Sequence, residues 1–341
     1  MDRFLALPSA ERELAFQQTA AARGLASGSV EKDFWACLML RELFNLTEFG
    51  EHLTFKGGTS LSKAWGLIDR FSEDIDLTID RDILGFSGDH GPEAANSRKE
   101  QERRLQALKH SCGRAITKRI GPALTARMQA ILQTKESWSL TSDDDDPDEQ
   151  TLLFAYPRPV AAATPSYVIP AVKLEFGARS DPWPVSKCQI TSLVAEQFPR
   201  LFVTSACTVR ALLPERTFWE KVMLLHEETF RPPGKSRRPR MARHYYDVWR
   251  LIEAGVSTKA AADGALFERV AAHRRVFFRH GWMDYDTLKR GTIRIVPLAE
   301  QVEEWRRDYS AMQGEMFLGT PPEFDVILAR IALFQSEFNS A

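Results

Sequence analysis

The chain has 341 residues, of which 44% are apolar and 27% charged, and its formal net charge is −1. That length buries a sizeable core in one or two domains, and the near-neutral balance excludes a surface coated for non-specific nucleic-acid binding while permitting a local basic groove. No apolar run approaches the roughly 18 residues of a membrane span.

The N-terminal stretch MDRFLALPSAERELAFQQTAA lacks the basic-then-apolar pattern of a secretory leader. Cys37, Cys112, Cys188 and Cys207 are widely spaced and form no C-x-x-C pair. Reduced, individually buried thiols in a cytoplasmic protein are the expectation.

In chain order, Ser9 is placed to cap a first helix reaching about Ala22, and Ser29 a second one with an apolar stripe through Phe34, Leu38, Leu43 and Phe44. A short strand at 53–55 enters a Gly57-Gly58 turn, followed by helical turns over 60–68 and a strand over 74–79. Residues 85–97 read as loop, 97–134 as helix and the acidic 142–149 as loop. Strands follow at 151–156 and 168–176, with another strand-containing piece at 185–194. Beyond about residue 208 the pattern is helical. The expectation is an α+β protein: a lobe with a mixed sheet over 1–208 and a helical lobe over 209–341, with a cleft between them.

The chemistry concentrates at FKGGTSLSKAWGLIDRFSEDIDLTID. In a strand, residues i and i+2 share a face, so Asp74 and Asp76 lie together opposite Ile75, Leu77 and Ile79. Paired carboxylates repel unless a positive charge holds them. With no basic residue between them, a divalent cation with oxygen ligands is the natural partner. Upstream, Gly57 and Gly58 permit close approach of phosphate oxygens to backbone N–H groups. Separately these features read as a turn and a solvated strand end; together they indicate metal-dependent chemistry on a nucleotide phosphate.

In AVKLEF (171–176), Lys173 and Glu175 share one face. They form either a wetted strand edge or, through Glu175, a third carboxylate beside Asp74 and Asp76 able to help hold two Mg²⁺ ions. Arg179 can approach that face or pair with Asp181. Lys221, three residues after Phe218, either lies solvated along an apolar stripe or contacts β/γ-phosphates. Arg243, Asp247 and Arg250 share a helix face, as a surface ion-pair set or as groups orienting Lys221 and phosphates. His226 reads as packing or a local hydrogen bond. Ser72, two residues before Asp74, is placed to touch metal or phosphate, although serine before a strand is common. The segment from Arg231 to His244 is basic, and Arg237, Arg238 and Arg240 suit a nucleic-acid backbone.

The blocks FKGGTSL (55–61), RFSEDIDL (70–77), KLE (173–175), TFWEK (217–221) and RHYYD (243–247), with EKD at 31–33, resemble the AbiEii/AbiGii toxin family of nucleotidyltransferases. The resemblance runs in order from residue 29 to about 252. It implies a DNA polymerase β-like lobe followed by a helical lobe. It also implies a bacterial toxin of a toxin–antitoxin or phage-defence module, with a cognate antitoxin. Carried over, Asp74 and Asp76 are metal carboxylates, Lys221 the motif lysine and Asp247 the catalytic aspartate of the last motif. Gly57, Gly58, Thr59 and Ser60, with Arg70 and Ser72, form the nucleotide-binding set, and Glu175 is the third metal ligand. The glycines stand farther from Asp74 than in the commonest polymerase β-like pattern. The function implied is Mg²⁺-dependent (or Mn²⁺-dependent) transfer of NMP from an NTP to RNA, in particular the 3′ end of tRNA. Alternatives are a protein hydroxyl or small-molecule acceptor, a non-catalytic RNA- or partner-binding protein, and a metal phosphohydrolase. Asp74, Asp76, Glu175, Lys221 and Asp247 are expected to share one site.

Overall fold

Alternating apolar residues at 53–56, 74–79 and 171–177 build the centre of a seven-stranded mixed sheet in the computed structural model, which describes all residues except 71–73, 133–136, 158–170, 314–315, 318 and 341. The strands are β1 (Leu53–Lys56), β2 (Asp74–Ile79), β3 (Ser139–Ser142), β4 (Thr151–Ala155), β5 (Ala171–Gly177), β6 (Val185–Thr191) and β7 (Ala206–Leu212), in the spatial order β3-β4-β5-β2-β1-β7-β6. β2 runs antiparallel to β1 and parallel to β5; β1 and β7 are parallel. On one face Phe55, Ile75, Leu77, Val172, Leu174 and Phe154 are all buried, the period-2 pattern of a sheet with one covered side. The fold class is α+β, as expected.

The chain divides into two compact units, one of Met1–Ala64 with Glu73–Ala211 and one of Trp65–Ser72 with Leu212–Ala341. The first unit holds the sheet and helices α1 (Asp2–Leu5), α2 (Ser9–Arg23), α3 (Ser27–Phe44), α4 (Gly57–Lys63), α5 (Arg98–Ala115), α6 (Gly121–Leu132) and α7 (Leu193–Gln197). The Phe4 ring stacks on Phe202 at 4.9 Å and meets Phe16 and Phe34, so α1, α2 and α3 share one aromatic cluster. The second unit is helical: α8 (Pro214–Thr229), α9 (Arg243–Glu253), α10 (Val256–Ala262), α11 (Gly264–Phe277), α12 (Val302–Gln313) and α13 (Phe324–Ser340). Its centre is Trp219, packed on Phe267, Phe334 and Phe338, with its indole N–H donating to Ala260 O.

Several boundaries differ from expectation for identifiable reasons. Neither Ser9 nor Ser29 is a cap: Pro8 and Ala26 occupy those positions without side-chain bonds, and Ser9 lies inside the first turn. Ser97 does cap α5, accepting from the Glu100 amide at 3.2 Å. The helix expected over 97–134 is α5 and α6 joined by a π turn at Ile116–Ile120, with 133–134 outside the described residues. The glycine pair is the first turn of α4 itself, with Gly57 at φ +75°, a conformation in which a Cβ would be strained. β3 and β7 lie outside the expected strands, and residues 168–170 of one expected strand fall outside the described residues. All four cysteines are unpaired, with Cys188 and Cys207 half-buried where full burial was expected. Among the described residues no helix is long and apolar enough to cross a membrane.

Candidate active site

The sheet's second face carries the carboxylates. Parallel pairing sets Asp74 beside Lys173 and Asp76 beside Glu175, while antiparallel pairing sets Asp76 beside Lys56. Residues paired in register point to the same side, so two lysines and three carboxylates share a half-exposed surface. Burial raises the Asp74 carboxyl to about 6, and the charges of Glu175 and Asp76 add to the effect. Glu175 is answered by Lys173 Nζ at 3.2 Å, and Lys173 also reaches Asp143 at 3.3 Å.

α4 shapes this surface from below. A Cβ built on Gly57 would stand 2.0 Å from Asp76 Oδ2, so the carboxylate occupies the space a side chain would need. Thr59 donates its hydroxyl to the Asp74 carbonyl. That bond ties α4 to the carboxylate strand and gives Thr59 a main-chain partner. Gly58 and Ser60 are buried, so they back the turn without lining its open side. Ser72 lies outside the described residues. Lys56, which carried no expected role, donates to Ser180 Oγ at 2.7 Å while sitting across from Asp76. Its position just before the glycine pair was the available signal.

For a divalent cation this surface offers hard oxygen donors, and the Asp74 acid is raised by burial and, next, by the like charges of Glu175 and Asp76. Those donors fit the group. No three His, Cys, Asp or Glu side chains converge to hold a metal ion among the described residues, and Glu175 is engaged by Lys173. A cation bound here would take the Asp74/Asp76 pair as ligands, with substrate oxygens or water supplying the rest.

The second unit holds a charged centre of its own residues. Arg70 grips Asp247 with both arms, Nε to Oδ1 at 2.7 Å and Nη2 to Oδ2 at 2.8 Å. Lys221 Nζ, reaching in from α8, bonds the same Oδ2 at 2.9 Å. The Asp247 side chain is 0% exposed, which removes the surface ion-pair reading. Burial alone would raise its acid, but the Arg70 and Lys221 charges reverse this and hold it well below the usual carboxylate range. Burial lowers the Lys221 ammonium, and the Arg70 and Arg243 charges push the same way. Lys221 Nζ also stands 3.4 Å from His244 Nδ1. Arg70, expected with the glycine turn, thus belongs to the Asp247 centre. Arg250 turns elsewhere, to Asp69 at 2.7 Å and to the Leu67 carbonyl.

The three arginines of the basic segment separate. Arg237 is sequestered, with its side chain 8% exposed, bonded to Glu228 at 3.1 Å, paired with Glu304 and laid over the Trp305 ring at 4.5 Å. It braces α8 against α12 within the second unit. Arg238 and Arg240 are exposed. His226 bonds residues far along the chain, accepting from the Arg294 amide at Nδ1 (2.9 Å) and meeting Thr287 Oγ1 at 3.0 Å through Nε2.

A sheet bearing paired carboxylates beside a glycine-started helix suits the nucleotidyltransferase class. Residues 38–330 match the family described as nucleotidyl transferase AbiEii toxin, type IV TA system. The chain belongs to that family, and it is an NTP-dependent nucleotidyltransferase of the toxin class. Membership implies a cognate antitoxin. Among solved structures, the nucleotidyltransferase toxin MenT4 from Mycobacterium tuberculosis is similar at 16% identity and TM-score 0.49, over 96% of this chain and 90% of that one. JHP933 from Helicobacter pylori is similar at 12% identity and TM-score 0.37, over 93% and 95%. Comparison with curated proteins finds no match.

Proposed function

We propose that the enzyme transfers NMP from an NTP to the 3′ end of an RNA, with tRNA as the acceptor, in the bacterial cytoplasm. The observation that carries this reading is the Asp74/Asp76 pair, set in register with Glu175 and seated against Gly57. The acceptor's 3′-oxygen attacks the α-phosphorus, the bond to the β-phosphate bridging oxygen breaks, and pyrophosphate leaves. Asp74 and Asp76 hold Mg²⁺ (or Mn²⁺), which when bound offsets charge developing on the transferred phosphoryl group. Glu175 can join them by exchanging its Lys173 partner. Gly57 keeps the Asp76 carboxylate close to the start of α4, and Thr59 fixes the Asp74 main chain.

In this reading Lys221 serves the β- and γ-phosphates. Asp247 acts by positioning: its depressed acid makes it a poor proton acceptor, and both its oxygens are committed to Arg70 and Lys221. The exposed Arg238 and Arg240 supply electrostatic contact with the RNA backbone. Arg237 contributes through the packing of their segment.

The test is incubation of the purified protein with total RNA, Mg²⁺ and each α-phosphate-labelled NTP in turn. Label in a tRNA-sized band supports the reading. Label in protein or in a small molecule assigns the acceptor to one of those classes, and label released only as free NMP assigns hydrolysis.

A further inference from the structure

One row of the sheet carries charged groups from its edge to the candidate metal site. Antiparallel pairing sets Ser142 beside Leu152, and Asp143 extends β3 by one residue, its amide donating to the Thr151 carbonyl at 3.1 Å. Thr151 lies beside Glu175, Glu175 beside Asp76, and Asp76 beside Lys56. Side chains paired in register share a face, so Asp143 belongs to the same face as the carboxylates of β2. Three strand spacings, roughly 14 Å, separate it from Asp76, too far for the two to share a cation.

The acidic stretch 143–149 starts at this residue, and its carboxylates build its own turn. Asp143 Oδ1 accepts from the Asp145 amide at 3.1 Å, and Asp146 accepts from the Asp148 and Gln150 amides and from the Thr151 hydroxyl at 2.7 Å. Asp143 Oδ2 faces Lys173 Nζ at 3.3 Å, and the same ammonium stands 3.2 Å from Glu175 Oε1. The Asp143 side chain is 13% exposed, against 37% for Lys173 and 40% for Glu175. Asp143 is therefore the fixed member of the three, and Lys173 and Glu175 have room to move. Burial works against the Lys173 ammonium, but its bonds to Glu175 and then to Asp143 outweigh this and keep it charged.

A cation on Asp74 and Asp76 sets up an exchange. It attracts Glu175 and repels the Lys173 ammonium, which then needs a carboxylate of its own. We propose that Asp143 is a positioning residue of the metal site: it takes over Lys173 when Glu175 turns to the cation beside Asp76. Glu175 is thereby released without leaving a lysine charge unpaired next to the metal. Asp143 touches neither metal nor substrate, and its effect passes through Lys173. This inference rests on the reading of Asp74, Asp76 and Glu175 as metal carboxylates of a transfer enzyme.

The experiment is Mn²⁺ titration of the full chain at physiological salt, followed by the electron paramagnetic resonance signal of the free ion, which reads binding without turnover. At that ionic strength the direct field of Asp143 on the metal is largely screened, the Debye length being about 8 Å. Asp143→Asn should bind Mn²⁺ about fivefold more weakly than wild type, the upper range for a half-exposed ion pair, and Asp143→Glu should restore most of the affinity. Lys173→Met should bind more tightly than wild type, and adding Asp143→Asn to it should change nothing further. The Mg²⁺ needed for half-maximal transfer should follow the same order. Equal affinity of wild type and Asp143→Asn overturns the proposal. So does a loss on adding Asp143→Asn to Lys173→Met as large as the loss in the wild-type background, because Asp143 would then act only as a distant charge. A melting curve accompanies each variant. If Asp143→Asn does not fold, Asp143→Ser, whose hydroxyl can accept the Asp145 amide, is judged by the same two criteria. Failure of wild type to bind Mn²⁺ overturns the proposal together with the metal reading. Wild type that binds Mn²⁺ with the expected pattern among variants yet labels no RNA supports the proposal and removes the transfer reading alone.

Discussion

The Asp76 carboxylate fills the place where a side chain on Gly57 would be, with Oδ2 only 2.0 Å from an ideal Cβ. Gly57 also has φ +75°, so two independent constraints demand glycine there. One is steric conflict with Asp76. The other is the left-handed backbone, worth roughly 1–2 kcal/mol against any residue with a Cβ.

Gly57→Ala should therefore displace Asp76 or unwind the first turn of α4. The expected result is a loss of transfer of about 100-fold or more, with a melting decrease of only a few degrees. Gly24→Ala is the control, since Gly24 has φ +65° with nothing within 4 Å of a Cβ. It should cost only the stability that the left-handed backbone accounts for and leave activity intact. Both are read by melting curves alongside transfer rates.

At the other centre, Asp247→Ala leaves the Arg70 and Lys221 cations buried without their carboxylate. Breaking a buried pair in this way costs about 3–5 kcal/mol. Urea unfolding should show a loss of that order. The double variant Asp247→Ala with Arg70→Met should recover part of it, because one orphaned charge is removed. Equal stability of wild type and Asp247→Ala would contradict the positioning role.

How much of this was legible in the chain depends on distance along it. Asp74 and Asp76 announce their shared face through the period of a strand, and the same period puts Lys173 and Glu175 on one side of β5. No local pattern could reveal that Arg70 closes on Asp247, because the partners are 177 residues apart. Arg237 was misleading for a related reason. A run rich in Arg and Pro looks solvated, yet Trp305 and Glu304 come up from α12 to enclose this one side chain. β7 was hidden by its polar Cys207 and Thr208. Burial of Val209 and Ala211 becomes intelligible only with β1 as its neighbour.

The basic segment should divide in function accordingly. Arg238→Ala with Arg240→Ala should weaken tRNA binding and reduce the salt slope by roughly 1 for each phosphate no longer neutralised. Arg237→Ala should do the opposite, lowering the melting temperature with little change in salt slope. Binding over a salt series and a melting curve for each variant separate the two roles.

His226 supplies a pH dependence of stability. Its folded value is lowered to about 4 by burial, with the nearby Arg294 charge acting in the same direction. The unfolded side chain titrates near 6.5, so between these values the unfolded chain binds more protons. Stability is therefore full above about pH 6.5 and falls as pH drops toward about 4, by up to about 1.4 kcal/mol per pH unit. Protonation at Nδ1 would also set a donor against the Arg294 amide. Urea unfolding at pH 7 and pH 5 should show a loss from this group of about 2 kcal/mol that His226→Gln removes.

The central claim is that the carboxylates of β2 carry the transfer. Single-turnover transfer of α-phosphate-labelled NMP to tRNA, measured across a Mg²⁺ series for wild type, Asp74→Asn and Asp76→Asn, tests it most directly. The substitutions keep size and remove charge, so the fold should persist by melting curve. The account predicts Mg²⁺-dependent labelling by wild type and loss of about 1,000-fold or more in each variant, in keeping with several kcal/mol of transition-state stabilisation. Wild-type rates in either folded variant, or labelling that continues unchanged without a divalent metal, would contradict it.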